Sequence, residues 1–462
     1  MLVKQYLIAA YFFAFLTVTP VSAEWGFQNI LHPHHVGKTA DPAKAKSIHD
    51  VISDDSWNVS IGGGRKLVVC VDGTWQTPGT ASDVPSQGGV KINAAMVPSN
   101  IVKLAYLAGN GKNENSEDPS TLTQRVYYHS GVATEVDDKK TSELEGNFGN
   151  IHEHLLDAYA WLAKEYRAGD DIYAFGFSRG STIVRSLFSF INYAGLAKAD
   201  KFDSHDSLMT EVHAAFDLYR SRLLPESTEH DAKIAEFHKK HSHHHVSLKF
   251  IGVFDTVEAL NVPSGYSSLI DSEYLTELEQ ALGAIEPNEY HDLRIGSKVQ
   301  YAYHAISIDE NREYFPPTMF EATDIATLPP NYVREQCWFR GAHADVGGGW
   351  WEHGLADIPL RWMIDNARAA GLQIHDADAF DADFSPFLLG VDRAAYLSRK
   401  DLIVHDYFKN YPSGESPNGH RIPRDLTKYM DTSKYYPSKL HESVVALKDK
   451  LKPIPETLKH LL

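Results

Sequence analysis

Asp170-Asp171-Ile172-Tyr173-Ala174-Phe175-Gly176-Phe177-Ser178-Arg179-Gly180 is the stretch that decides how this chain of 462 residues is read. Ile172 to Phe175 is a short apolar run, long enough for a buried strand. Thr182 to Tyr193 follows with Ile183, Val184, Leu187, Phe190 and Ile191 on one helical face. Between them Gly176, Ser178 and Gly180 form G-x-S-x-G. Alone, that pattern reads as an ordinary Gly/Ser turn. Between a strand and a helix it is the context of a nucleophile elbow. A tight turn lifts a serine hydroxyl above the sheet, and glycines let neighbouring backbone come close. The Arg179 N–H, at the helix start, is aimed where negative charge would develop.

Upstream, Lys66–Val71 is a nearly all-apolar strand, as parallel strands buried on both faces are. It runs into Asp72-Gly73-Thr74-Trp75, where Gly73 and Thr74 are candidates for a second oxyanion N–H. Asn100–Leu107 reads as a helix, Arg125–Tyr128 as a strand, and Ile151–Arg167 as an amphipathic helix closed at Gly169. Downstream, Lys198–His245 interrupts the alternation with helices near 206–223 and 228–241, placed where a lid would lie. Ser247–Phe254 is a strand ending at Asp255-Thr256-Val257. Asn261–Ser297 is a second insertion, helical around Tyr274–Leu282. Val299–Ile306 and Cys337–Phe339 are further strands. The latter leads into the Gly-rich loop Gly341–Gly349, and Leu360–Ala370 is a helix. Strands alternating with helices imply a doubly wound, mostly parallel sheet. After Asp376 the periodicity weakens until the amphipathic stretch Leu440–Leu451.

The 44 basic against 61 acidic residues leave a formal charge of −17, with no polybasic run. That disfavours nucleic acid and electrostatic docking on anionic lipid. Residues 1–23 read as a secretory signal peptide: Lys4, the apolar core Tyr6–Val18, and Val21-Ser22-Ala23 at the cleavage position. A secreted or periplasmic location is expected. Cys70 and Cys337, the only cysteines, fall in strands and read as small core residues. The histidines of 238–245 have no nearby cysteine or carboxylate set and read as a solvated loop rather than a metal site.

A serine nucleophile needs a base within reach and an acid to orient that base, in the chain order Ser, Asp, His for this fold class. Asp255, just past a strand, fits the acid. His343, on the Gly-rich loop, fits the base. His304 is the rival base, but its place inside a strand reads as a core histidine. Asp345 and Asp309 are alternative acids.

Five motifs carry a resemblance. They are Val68-Val69-Cys70-Val71-Asp72-Gly73-Thr74-Trp75, Gly176–Gly180, Gly252-Val253-Phe254-Asp255-Thr256-Val257, His304–Glu310, and Trp338–Gly349. Together they resemble the α/β-hydrolase family typified by the catalytic domain of type VI secretion phospholipase effectors. The resemblance covers about Lys66 to Leu372 and implies an α/β-hydrolase-like fold with helical insertions. It also implies a triad of Ser178, Asp255 and His343, with lipid ester cleavage and no cofactor. The expected organisation is a signal peptide (1–23), an extension (24–64), a catalytic domain (65–375, insertions at 198–246 and 261–298) and a C-terminal region (376–462). The substrate is expected to be an ester or lipid, met in transient contact with a membrane surface. A carboxylesterase on a soluble or polymeric ester, and a binding protein that kept the fold, are the alternatives.

Overall fold

Seven parallel strands form the central sheet of the computed structural model: β1 (Lys66–Val71), β2 (Gln124–His129), β3 (Asp171–Phe177), β4 (Ser247–Phe254), β5 (Val299–Ser307), β6 (Val333–Phe339) and β7 (Ser438–Leu440). Their order is β7-β6-β5-β4-β3-β1-β2. The structure describes residues 64–73, 82–85, 91–94, 98–109, 123–129, 131, 143–221, 228–243, 245–257, 292–313, 315–322, 328–350, 352–375, 399–409, 415–416 and 419–462. The expected signal peptide, almost all of the N-terminal extension, Thr74, His244 and most of the second insertion, including 274–282, lie outside these residues.

The pleat sends successive strand residues to opposite faces, and each face buries its own helices. Val68 and Cys70 of β1 and Tyr173, Phe175 and Phe177 of β3 pack with α1 (Asn100–Ala108) and α6 (Asp357–Ala369). Leu67, Val69, Val71, Ile172 and Ala174 pack instead with α2 (Glu143–Glu165) and α3 (Arg179–Ala194). The sheet is therefore buried on both faces, and this is an α/β-hydrolase-like fold. A buried ion pair, Lys103 Nζ to Asp357 Oδ1 at 2.8 Å, ties α1 to α6. Both cysteines are free and buried, and burial pushes the Cys337 thiol up to about 12.

Two placements differ from the sequence expectation. Helices α4 (His205–Ser221) and α5 (Thr228–His241) of the first insertion pack through Leu208, Val212, Phe216, Tyr219, Ile234 and Phe237 into the core made by α2 and α3. In the described part, then, the insertion is an outer helical layer and not a lid. Its apolar stripes find a matching stripe on the helices beside them. The end of α5 meets the C-terminal end of α3: Lys198 N donates to His241 O at 2.7 Å, and Ser242 Oγ to Ala194 O at 3.0 Å. The histidine run thus lies at the far end of α3 from Ser178. Its rings pack on aromatics, His241 stacked on Phe202 and His243 edge-on to Tyr166. Among the described residues, no group of three His, Cys, Asp or Glu is placed to hold a metal ion.

The second difference is at the C-terminus. Ser438–Leu440 is a parallel edge strand on β6, although the sequence there has no strand pattern. Leu426, Tyr429, Val444 and Leu458 bury against Ile306, Ile308 and Trp338.

Candidate active site

The chain passes from β1 to β2 on one side and later to β3 on the other. This makes a switch point between β1 and β3, where open α/β sheets bind ligands at their carboxyl ends. Ser178 sits there, directly after β3, at φ 55° and ψ −122°. A non-glycine residue at positive φ is strained. The turn exists because its neighbours are glycines. A Cβ on Gly180 would lie 2.2 Å from Val71 O, and one on Gly176 would lie 2.6 Å from Gly180 O. Gly180 therefore lets the start of helix α3 lie against the end of β1, and Gly176 lets β3 lie against the start of α3.

Asp255 follows β4, also at positive φ (38°). It is fully buried. Its backbone N–H donates to Ala305 O at 2.7 Å, and its Oδ1 accepts from Ser307 N at 2.9 Å. His343 begins the short helix His343–Gly347 after β6. Its Nδ1 lies 2.6 Å from Asp255 Oδ2. Its ring packs on Phe177, the residue before Ser178, and on Phe315. Its Nε2 is buried and has no hydrogen-bond partner among the described residues. The structure thus brings an acid–imidazole pair beside the elbow, with one ring nitrogen unengaged. Burial lowers the basicity of His343, and the bond to Asp255 works against that shift.

Arg424 completes the constellation, and sequence reading missed it. Its guanidinium is buried against Asp255, NH1 to Oδ1 at 2.6 Å and NH2 to Oδ2 at 3.0 Å. The same group donates to Ser307 O and Phe315 O, each at 2.7 Å. Burial alone would raise the Asp255 carboxyl. Arg424 and then His343 reverse this and hold it well below the usual carboxylate range. Arg424 stands in a stretch with no periodicity, and nothing in its neighbours signals burial. Glu310, the neighbour of Asp309, also reaches this cluster. Glu310 accepts from His343 N at 3.1 Å and is paired with Arg312.

The other candidates have different work. His304 is fully buried, and its Nε2 accepts from Thr256 N at 3.1 Å, so it braces the Asp255 turn. Burial, then nearby Arg185, lowers it to about 3, which keeps it neutral. Asp309 binds Arg340 and the Gly341 N–H. Asp345 caps its own short helix at Ala342 N and pairs with His405. None of these three bonds the His343 ring. Gly73 N donates to Asp72 Oδ1 at 2.8 Å. Asp72 also accepts from Ser99 Oγ and Tyr128 OH, and burial pushes it up to about 6 against those bonds.

The model of the "T6SS, Phospholipase effector Tle1-like, catalytic domain" family matches residues 65–366. An uncharacterized protein of Saccharomyces cerevisiae, YEL023C, is 24% identical in an alignment 299 residues long that covers 59% of this chain and 36% of that protein. The chain thus spans about a third of the length of that relative. A crystal structure of an uncharacterized protein from Pseudomonas aeruginosa superposes with a TM-score of 0.40 at 16% identity, covering 78% of this chain and 53% of the other. The Tle1 effector bound to the VgrG spike of a type 6 secretion system superposes with a TM-score of 0.34 at 17% identity, covering 69% and 56%.

Proposed function

Because this chain belongs to the Tle1-like catalytic-domain family of type VI secretion phospholipase effectors, a hydrolase family of lipase or esterase type, we propose that it cleaves a lipid ester through Ser178, His343 and Asp255. The observation that carries this reading is the 2.6 Å contact of His343 Nδ1 with the buried Asp255 carboxylate, set beside a strained serine turn. Ser178 Oγ attacks the ester carbonyl as His343 Nε2 takes its proton. The imidazolium then returns that proton to the leaving alcohol, and water repeats the cycle on the acyl-enzyme. Asp255 holds the tautomer with Nε2 free to accept, and its ionised state stabilises the imidazolium. The Arg179 N–H and that of Gly73 or Thr74 receive the oxyanion. For Gly73 this means its N–H turns from Asp72 Oδ1 to the substrate.

A fluorescent fluorophosphonate tests the nucleophile. The wild-type chain labels and Ser178→Ala does not. A folded wild type that stays unlabelled sinks the reading. One observation favours a second reading, a carboxylesterase on a soluble ester: α4 and α5 lie on the helical layer and offer no apolar lid. A rise in rate as the substrate passes into micelles separates the lipid reading from that one.

A further inference from the structure

A second acid–imidazole pair holds the helix that presents His343, and the ester mechanism above does not use it. Asp345 lies two residues past His343 on the same short helix and is buried. Both of its oxygens face one residue. Oδ1 lies 2.5 Å from His405 Nδ1, and Oδ2 accepts from His405 N at 2.9 Å. Oδ2 also accepts, at 2.9 Å, from the N–H of Ala342, the residue just before His343. The other ring nitrogen of His405, Nε2, lies 3.5 Å from the Glu352 carboxylate, on the chain beyond Gly349. The Trp350 ring stacks on the imidazole, with centroids 4.3 Å apart and planes 6° from parallel. On the His405 segment itself, Asp406 is paired to Arg421, and the Arg312 guanidinium sits over the Tyr407 ring, 3.6 Å from its centroid.

These neighbours decide the protonation of His405. A neutral imidazole has one N–H, and its other nitrogen is an acceptor. Between two carboxylates that second nitrogen would set lone pair against lone pair. Only the imidazolium donates to both, and an indole face favours a cation. His343 differs: one of its nitrogens meets a carboxylate, and the other is unengaged among the described residues. Burial by itself would lower the His405 ring, but Asp345 and then Glu352 outweigh it and hold the ring above the ordinary histidine value. Burial raises the Asp345 carboxyl, so Asp345 depends on that cation to stay ionised.

We infer that His405, as its imidazolium, is a positioning residue for the proposed hydrolysis: it clamps Asp345 and Glu352 and so fixes the turn into the His343 helix. It acts through Asp345, and the inference rests on His343 being the base. The clamp is complete below the ordinary imidazole value and is lost as pH rises through the raised one. The alkaline side of the rate profile thus belongs to His405, and the acid side to His343.

The test follows the initial rate of fluorophosphonate labelling of the full chain across about pH 5–10. Wild type should give a bell, with an acid limb from His343 and an alkaline fall of about ten- to hundredfold, the cost of a misplaced base. Glu352→Gln removes the partner of Nε2 at a partly exposed position. It should move the alkaline limb to lower pH by about 0.2–0.7 of a unit, the worth of one such ion pair. His405→Gln should label at the alkaline rate of wild type and have no alkaline limb. A role in packing alone would lower rates evenly and move no limb. A wild type that labels without an alkaline limb, or a limb unmoved in both variants, overturns the clamp. A second measurement covers a His405→Gln chain that does not fold: the histidine ring signals of Ser178→Ala are followed by NMR as pH rises. His405 is expected to titrate above the ordinary histidine value, with the His343 signals changing in step. A His405 that titrates at or below that value, or a His343 that does not respond to it, overturns the clamp. A wild type that takes no probe at any pH removes the hydrolase reading, and coupled NMR shifts then leave the clamp on the His343 helix standing. Labelling with an unmoved alkaline limb does the reverse.

Discussion

Arg424 and Asp255 set the chemistry of His343 from behind. The carboxylate is shared between a guanidinium and an imidazole, with every oxygen engaged and no water-facing edge. Removing one partner of a buried pair leaves an uncompensated charge and costs about 3–5 kcal/mol. Arg424→Gln should therefore lower stability by about that amount in urea denaturation. It should also move the pH profile. The Asp255 carboxyl, freed from the guanidinium, attracts the His343 proton more strongly, so the imidazole pKa rises. On the proposed mechanism, in which His343 loses its proton to act as base, the acid limb of kcat/KM then shifts to higher pH. A variant with wild-type stability and an unmoved acid limb would show that the arginine does nothing for the pair. Little of this was legible beforehand. Asp255 and His343 stand out in the sequence because each follows a strand at a marked turn, whereas Arg424 sits among prolines and charges that read as surface.

At the scale of the element, the elbow is a packing problem solved by two glycines. Helix α3 starts one residue after Ser178 and passes so close to β1 that Gly180 has the Val71 and Asp72 carbonyls where a side chain would begin. Gly180→Ala should cost about 1–3 kcal/mol or more, as overpacking does, and should abolish fluorophosphonate labelling, since the helix start and the serine move together. A Gly180→Ala protein as stable and as reactive as wild type would refute this account of the turn. The elements themselves were largely readable. The strands after Lys66, Asp171 and Ser247 and the helices at 100–108 and 228–241 follow apolar period. The short edge strand Ser438–Leu440 was not, because three residues carry no period and their pairing with Gln336–Trp338 comes from contacts about a hundred residues away.

For the whole molecule, the described residues past the family-matched stretch 65–366 pack into the same body. It adds a strand to the sheet, supplies Arg424 to Asp255, and buries Leu426, Tyr429, Val444 and Leu458 against β5 and β6. Four such side chains, at about 1.5–3 kcal/mol each, rival the entire net stability of an ordinary domain, about 5–15 kcal/mol. A chain ending at residue 375 should therefore show no cooperative unfolding transition and should be cut quickly in limited proteolysis. If it unfolds at the wild-type midpoint and takes the probe, the C-terminal region is dispensable.

By itself the sequence determined the alternation of strand and helix, the parallel sheet, the serine turn, and the acid and imidazole that meet behind it. These are local matters: period, glycine placement and the residue just past a strand end. Only the tertiary structure decided that α4 and α5 lie on the helical layer, that Arg424 grips Asp255, that His304 braces a turn, and that His129 and His154 meet at the carboxyl end of β2. Those outcomes depend on which distant surfaces exclude water together, and burial is a property of the assembled whole that no window of residues contains.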